Sequence, residues 1–295
     1  MLRRAFSLIE LVVVLGIFAV LTGLLLSAIQ KVRATAARLQ CANQLRQLAL
    51  ASHQYHDLHD GFPAGVTVTR DGGRMLYASW LTQLLPLMEQ EALWRTTQEA
   101  YHQTTNPFQN PPHRGLSTPI DLFGCPADPR TKTPQLAIRS GRVVALSSYL
   151  GVSGRSSLEQ DGVYFRDSRV RLIDIRDGTS QTLLIGERPP SNDHQFGWWY
   201  TGLGQQQTGS ADSVLGVEEW NLLGRLRPDC PAGPYRFAPA KVVEPCAMFH
   251  FWSLHPGGAW FALADGSSRF IAYPQASILP ALASREGGEI ISDLP

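Results

Sequence analysis

Three groups of side chains in this chain have types and spacings that could do chemistry. His53, His56 and His59 recur every third residue beside Asp57 and Asp60, so two imidazoles and a carboxylate could hold a metal ion. A three-residue step drifts by about 60° around a helix and spreads the rings over roughly 120°, whereas helical zinc sites use histidines four apart. Packing of a helix end is the simpler role. His250, His255 and Asp265 form the second group, with Glu187 as a further oxygen donor if the strands bring it near. Against this, His255-Pro256-Gly257-Gly258 reads as a tight loop whose imidazole serves backbone carbonyls, with Asp265 serving a turn. The third group is the four cysteines, at 41, 125, 230 and 246, which allow three pairings.

Other chemistries find less support. Calcium asks for several hard oxygens on a flexible loop, which Asp265 or Asp128 could supply with neighbouring carbonyls; no metal or cofactor is otherwise expected. An enzyme needs a nucleophile with its base, or paired carboxylates, arranged to exclude water. No Gly-x-Ser-x-Gly, phosphate loop, His-Glu-x-x-His or Cys-x-x-Cys occurs, and Asp174 and Asp177 lie in a context that makes turns and helix caps, so the chain is read as non-enzymatic. Trp198-Trp199-Tyr200, Trp252 and Trp260 could stack sugars but suit strand interiors better. With 26 Lys and Arg against 25 Asp and Glu, a formal charge of +1 and no basic block, nothing calls for nucleic acid.

The elements that would position these groups begin with an apolar run from Leu11 to Ile29. At about 1.5 Å per residue it covers roughly 28 Å, close to the hydrocarbon thickness of a bilayer. The basic stretch, Arg3-Arg4, precedes the run rather than a cleavage site following it, which describes an anchor and not a removable secretory signal. Glu10 at the edge of this run is costly unless a cation neutralises it. From Leu24 to Asp60 there is no Gly or Pro, and Val32, Ala36, Leu39, Leu45, Leu48 and Tyr55 recur at helical spacing. One helix from Phe6 to about His59, roughly 80 Å long, is therefore expected, ending where Gly61 and Pro63 break the pattern.

Beyond Pro63 the texture becomes short apolar runs cut by Gly, Pro, Asn and Asp. It predicts a hairpin of residues 65–70 and 74–79 around Asp71-Gly72-Gly73, then a helix from Ser79 to Tyr101 bent or shortened at Pro86. An exposed loop follows from Thr104 to Thr118, and a mobile polar segment from Gly202 to Val214. Strands are expected at 143–152, 162–165, 182–187, 197–201 and 248–253. Asp265-Gly266 should make a two-residue turn between strands 259–264 and 267–273. The reading is an α+β chain with an antiparallel sheet: a leader at 1–5, the membrane part of a helical spine at 6–30, its outer part at 31–60 and one β-rich head at 61–295.

Arg3-Arg4-Ala5-Phe6-Ser7-Leu8-Ile9-Glu10, followed by the apolar run, resembles the class III signal of type IV prepilins and type II secretion pseudopilins. The resemblance implies cleavage by a prepilin peptidase between Ala5 and Phe6, methylation of Phe6, and pairing of Glu10 with the Phe6 amine of a neighbouring subunit. Ala5 stands where that family usually has Gly. Lys31, Arg33, Arg38 and Arg46 follow the span, so charge alone would place the head in the cytoplasm, whereas the resemblance implies an exported head. His255, nine residues and Asp265-Gly266 resemble the H-x9-D-G motif of the pilin-like DUF1559 family. Cys41-Ala42-Asn43-Gln44-Leu45-Arg46-Gln47, Tyr55-His56-Asp57, Gly61-Phe62-Pro63, Cys125-Pro126-Ala127-Asp128, Ser148-Tyr149-x-Gly151 and the stretch from Asp177 to Glu187 resemble its other segments in order.

An exported head meets oxidising conditions. Cys230 and Cys246 bracket a Pro- and Gly-rich loop and are expected to be bridged, worth roughly 3 kcal/mol, with Cys41 and Cys125 then tying spine to head. The expected function is a pilin- or pseudopilin-like structural subunit in the cytoplasmic membrane, single-pass, with its head on the periplasmic side. It would contact other pilin-like subunits through the N-terminal helix. The contrasting reading is a monomeric tethered module that binds a glycan, calcium or an envelope protein.

Overall fold

The computed structural model describes residues 8–69 and 75–289. Helix α1 (Leu8–His59) carries the apolar run and continues unbroken into the head; its 52 residues extend roughly 78 Å. Its surroundings change along its length. Every side chain from Leu8 to Ala36 is exposed, and the stretch is long and apolar enough to cross a membrane. Arg38 makes the first clear contact with the head, its guanidinium 3.6 Å over the ring of Phe270. From Cys41 onward a stripe of Cys41, Gln44, Leu45, Leu48, Ala49 and Ser52 is buried, the i, i+3, i+4, i+7 pattern of a helix laid on a core. The helix stops with Asp60 in the left-handed region at φ 54°. Ala5 and Phe6 lie outside the described residues; Glu10 is exposed on α1.

The spine lies against a five-stranded mixed sheet in the order β5 (Val214–Leu215), β3 (Tyr149–Val152), β4 (Leu183–Glu187), β8 (Gly258–Leu263), β9 (Ser268–Ala272). Every neighbouring pair is antiparallel except β3 and β5, which run parallel. Two small two-stranded sheets accompany it, β1 (Gln135–Ala137) with β2 (Arg142–Val144) and β6 (Glu218–Glu219) with β7 (Tyr235–Arg236). Strand β8 shows the two-residue period plainly: Ala262 joins the core beneath the spine, while Ala259, Phe261 and Leu263 join a second core on the opposite face. The first core adds Phe62, Trp80 and Tyr164; the second adds Phe249, Phe251 and α4 (Leu279–Ala283).

Pro86 divides the expected helix into α2 (Trp80–Leu84), a 3₁₀ turn and α3 (Glu91–Gln103). The pairing before it survives, with Val66 bridging Ser79 and the Thr67 N–H donating to the Ala78 carbonyl at 3.1 Å, but the expected turn at 71–73 lies outside the described residues. Expected strand 143–152 is interrupted between β2 and β3, 197–201 makes isolated bridges, and 162–165 forms no ladder. Segment 248–253 is corrected: Pro245–Phe249 forms a 3₁₀ helix, Pro245 supplying the fixed first-turn φ. Two segments read as solvent loops are packed. His113 in the 104–118 loop is buried, its Nδ1 2.8 Å from Tyr200 Oη and its Nε2 2.9 Å from the Thr104 carbonyl. Gln205, Ser210 and Asp212 are buried in a hydrogen-bond network in which Ser210 Oγ donates to Glu219 Oε2 at 2.9 Å.

Candidate functional site

Four segments far apart in sequence meet where the spine enters the head. Cys41 sits on the first buried turn of α1, and Cys125 follows the 3₁₀ turn Asp121–Phe123, its N–H donating to Ser148 Oγ at 3.0 Å. Glu187 ends β4, where its Oε2 accepts the Trp260 N–H at 2.7 Å and its backbone carbonyl accepts the Trp252 N–H at 3.2 Å. His255 lies in the loop before β8, held by its N–H donating to Ser253 Oγ at 3.0 Å while Ser253 Oγ donates to the Gly258 carbonyl at 2.6 Å. The two sulfurs are 2.7 Å apart and unbridged. His255 Nε2 stands 3.2 Å from Cys41 Sγ, 3.5 Å from Cys125 Sγ and 3.4 Å from Glu187 Oε1. All four side chains are buried, with their ligating atoms within 4.8 Å of one another.

This is a polar cluster in a water-poor place, and its protons are displaced accordingly. The Cys41 thiol is driven well above the ordinary range because it donates to Cys125 and is buried, while Cys125, as the acceptor, is drawn down to about 7 against the opposing effect of burial. Burial works against a charged His255 ring, but the Cys125 sulfur and the Glu187 carboxylate beside it outweigh burial and push the ring up to about 9. Chemically the arrangement offers two thiols, an imidazole and a carboxylate to one small volume, the donor set of a borderline-soft cation or of a reactive thiol pair.

The structure unites parts of two groups that the sequence kept separate. Glu187 and His255 do meet, and Cys41 and Cys125 do meet, but at the same place. His250 stands apart with its Nδ1 3.1 Å from the Phe251 carbonyl, and burial lowers its pKa. Asp265 does not join His255. It is exposed at the far end of β8, where its Oδ1 accepts the Ser267 N–H at 2.8 Å. The turn itself is corrected: the Gly266 N–H donates to the Leu263 carbonyl and the Leu263 N–H to Ser267, enclosing three residues, with Gly266 alone at positive φ (85°). A Cβ on Gly266 would lie 3.8 Å from the ring of His53. The two ends of the H-x9-D-G motif therefore touch the spine at Cys41 and near His53. The 6 residues of β8 span about 20 Å and the helix from Cys41 to His53 about 18 Å, so the spacing measures a strand against the spine.

The remaining candidates resolve into packing. His53 and His56 lie 5.5 Å and 5.2 Å from the Phe62 ring between centroids, His59 packs against Tyr55 at 4.2 Å with the rings tilted, and His56 Nε2 accepts the Leu172 N–H at 3.1 Å. Asp128 pairs with Arg130, its Oδ2 2.6 Å from Nη2. Asp174 pairs with Arg171, and Asp177 accepts the N–H groups of Gly287 and Gly288. Trp198, Trp199, Tyr200 and Trp252 are buried, and Trp260 packs against Phe270. Cys230 and Cys246 form the expected disulfide, with Cα atoms 5.4 Å apart. Outside the cluster, a concavity of about 380 Å³ lies beside the end of the spine, lined by Tyr55, Phe62, Gln83, Trp94 and Arg169 among others.

Sequence reasoning missed that the cysteines and the His–Glu pair share one site. The available signal was that Cys41, Cys125, Glu187 and His255 all lie in the segments that carry the family resemblance. No curated protein and no solved structure matches the chain. A family described as "protein of unknown function (DUF1559)" matches residues 30–276, a stretch that starts where the apolar run ends and contains the whole cluster. With most of its length matched, including the spine's buried half, the sheet and all four converging side chains, the chain belongs to the DUF1559 family.

Proposed function

We propose that this protein is a membrane-anchored, pilin-like structural subunit whose apolar helix half packs laterally against like subunits and presents the head outside the cytoplasmic membrane. The observation that carries the reading is the continuity of α1, apolar from Leu11 to Ile29, exposed to Ala36 and buried in the head from Cys41. A rigid helix shared between bilayer and head transmits position from one to the other, which is what a subunit of a lateral assembly requires. A prepilin peptidase would cut before Phe6, and Glu10 would pair with a neighbour's terminal amine. No chemistry on a substrate is assigned to the head. Intact mass and N-terminal sequencing of the protein recovered from its native membrane test the processing step, with a chain beginning at methylated Phe6 expected and an uncut Met1 counting against it. Glu10→Val should abolish cross-linking between subunits while leaving the head folded.

A second reading, a monomeric tethered binding module, draws on the aromatic concavity at Tyr55 and Trp94. It is favoured if Glu10→Val leaves function intact and if Trp94→Ala, with an unchanged unfolding temperature, removes binding in a glycan array.

A further inference from the structure

We propose that Cys41, Cys125, Glu187 and His255 bind one divalent cation of the zinc class, and that this cation clamps the spine to the head. The proposal goes beyond the anchoring reading and does not depend on it.

Two thiolates, an imidazole nitrogen and a carboxylate oxygen make four ligands of the kind a tetrahedral zinc-class site uses, drawn from α1, the 125 loop, β4 and the loop before β8. Glu187 is 1 % exposed, and its Oε1 faces the cluster without a hydrogen-bond donor. The nearest basic group is His255 Nε2 at 3.4 Å, but that one nitrogen also faces both sulfurs, at 3.2 Å and 3.5 Å. One ring nitrogen carries at most one proton and cannot serve three neighbours. A cation at the centre satisfies all four atoms together, which matters because a buried carboxylate oxygen left without a partner is expensive.

A disulfide is the competing resolution of the same contact. It would satisfy the two sulfurs and leave Glu187 Oε1 with its poorly aligned ring nitrogen. Binding needs a modest rearrangement. Sulfur arms of about 2.3 Å around a tetrahedral centre hold two sulfurs ~3.8 Å apart, so the present 2.7 Å separation must open. No redox step is involved: each cation taken up displaces the thiol protons and the proton on His255 Nε2 to solvent. The outer supports are in place, since Glu187 Oε2 is fixed by the Trp260 N–H and the His255 loop by Ser253.

The test uses the full chain in detergent micelles, reduced at the cluster, stripped with a chelator and titrated anaerobically with cobalt chloride and then zinc chloride. Uptake of one cobalt per chain is expected, with thiolate-to-cobalt charge-transfer absorption and the intense visible bands of a tetrahedral site, both abolished when zinc displaces cobalt. Cys125→Ser should lose the charge-transfer bands, and Glu187→Gln should weaken cobalt binding at least tenfold, each with an unchanged far-ultraviolet spectrum. Failure of the reduced wild-type chain to take up cobalt would overturn the proposal whatever the variants do. So would protein from the native membrane that carries no metal and whose mass shows two disulfides, because the clamp would then be a covalent bond.

Discussion

Residues 8–36 and 41–52 of α1 belong to one continuous helix, yet they meet opposite demands. The N-terminal stretch is apolar around its whole circumference from Leu11 to Ile29, and its hydroxyls turn back on the helix: Thr22 Oγ1 donates to the Phe18 carbonyl at 2.7 Å and Ser27 Oγ to the Leu24 carbonyl at 2.9 Å. Such a bond satisfies the hydroxyl within its own helix, as a bilayer-crossing stretch would require. Residues 41–52 are apolar on one stripe only, and their buried polar groups reach across to the head. Gln44 Nε2 donates to the Asp121 carbonyl at 2.7 Å, its Oε1 accepts from Tyr149 Oη at 2.7 Å, and Ser52 Oγ accepts from Tyr164 Oη at 2.7 Å. Helical geometry is common to both halves; what surrounds each residue decides what its side chain must do.

The sharpest way to break this comparison is one truncation in each half. Leu45→Ala removes a fully buried side chain and should destabilise the head by about 2–5 kcal/mol, whereas Leu25→Ala should leave denaturant unfolding of the full chain in detergent unchanged. Equal effects would mean that the two halves share one environment. The converse change, Ile17→Arg, should add about 3 kcal/mol to the cost of membrane insertion, read as a smaller membrane-integrated fraction, with no shift in the unfolding temperature of the head. Away from the spine, replacing both Cys230 and Cys246 with Ser opens a loop of sequence separation 16 and should cost about 3 kcal/mol of head stability without altering membrane integration.

The smallest expected effect is a pH dependence belonging to the head alone, since residues 8–36 contain no histidine. Burial holds the folded pKa of His113 below its ordinary value of 6.5, and His250 shifts the same way for the same reason. A depressed folded pKa means that the unfolded chain takes up the proton first. Stability from these rings is therefore complete above pH 6.5 and is lost as the pH falls from there through the folded values. His113→Gln should flatten the fall in unfolding temperature across that window, by at most about 1.4 kcal/mol per pH unit. An unchanged slope would show that His113 does not titrate on unfolding.

Much of the fold was legible because it rests on local rules. The absence of Gly and Pro from Leu24 to Asp60 marks the spine, Pro86 marks the break between α2 and α3, and Asp265-Gly266 marks a hairpin. Segments whose backbone partners lie far away were not legible. Residues 248–253 have strand composition but follow a proline that starts a 3₁₀ helix, and residues 202–214 have loop composition but bury Gln205, Ser210 and Asp212 among mutually satisfying groups. Of the site, the residue types could be read, and the Cys230–Cys246 bridge followed from its short loop. The convergence could not, because sequence separations of 84 between Cys41 and Cys125 and 214 between Cys41 and His255 carry no local signal.

The sequence by itself determined that this protein has a helix able to cross a bilayer, that the helix extends into a β-rich head, and that the head carries a short-loop disulfide. Each of these depends on composition and spacing over a few tens of residues, where periodicity and chain entropy act directly. Only the tertiary structure decided that β8 lies along α1, so that His255 and Asp265 part company at its two ends, and that His255 meets Cys41, Cys125 and Glu187 instead. The reason is physical: a strand holds its own ends about 20 Å apart, so the partners of each end are set by whatever the sheet packs against.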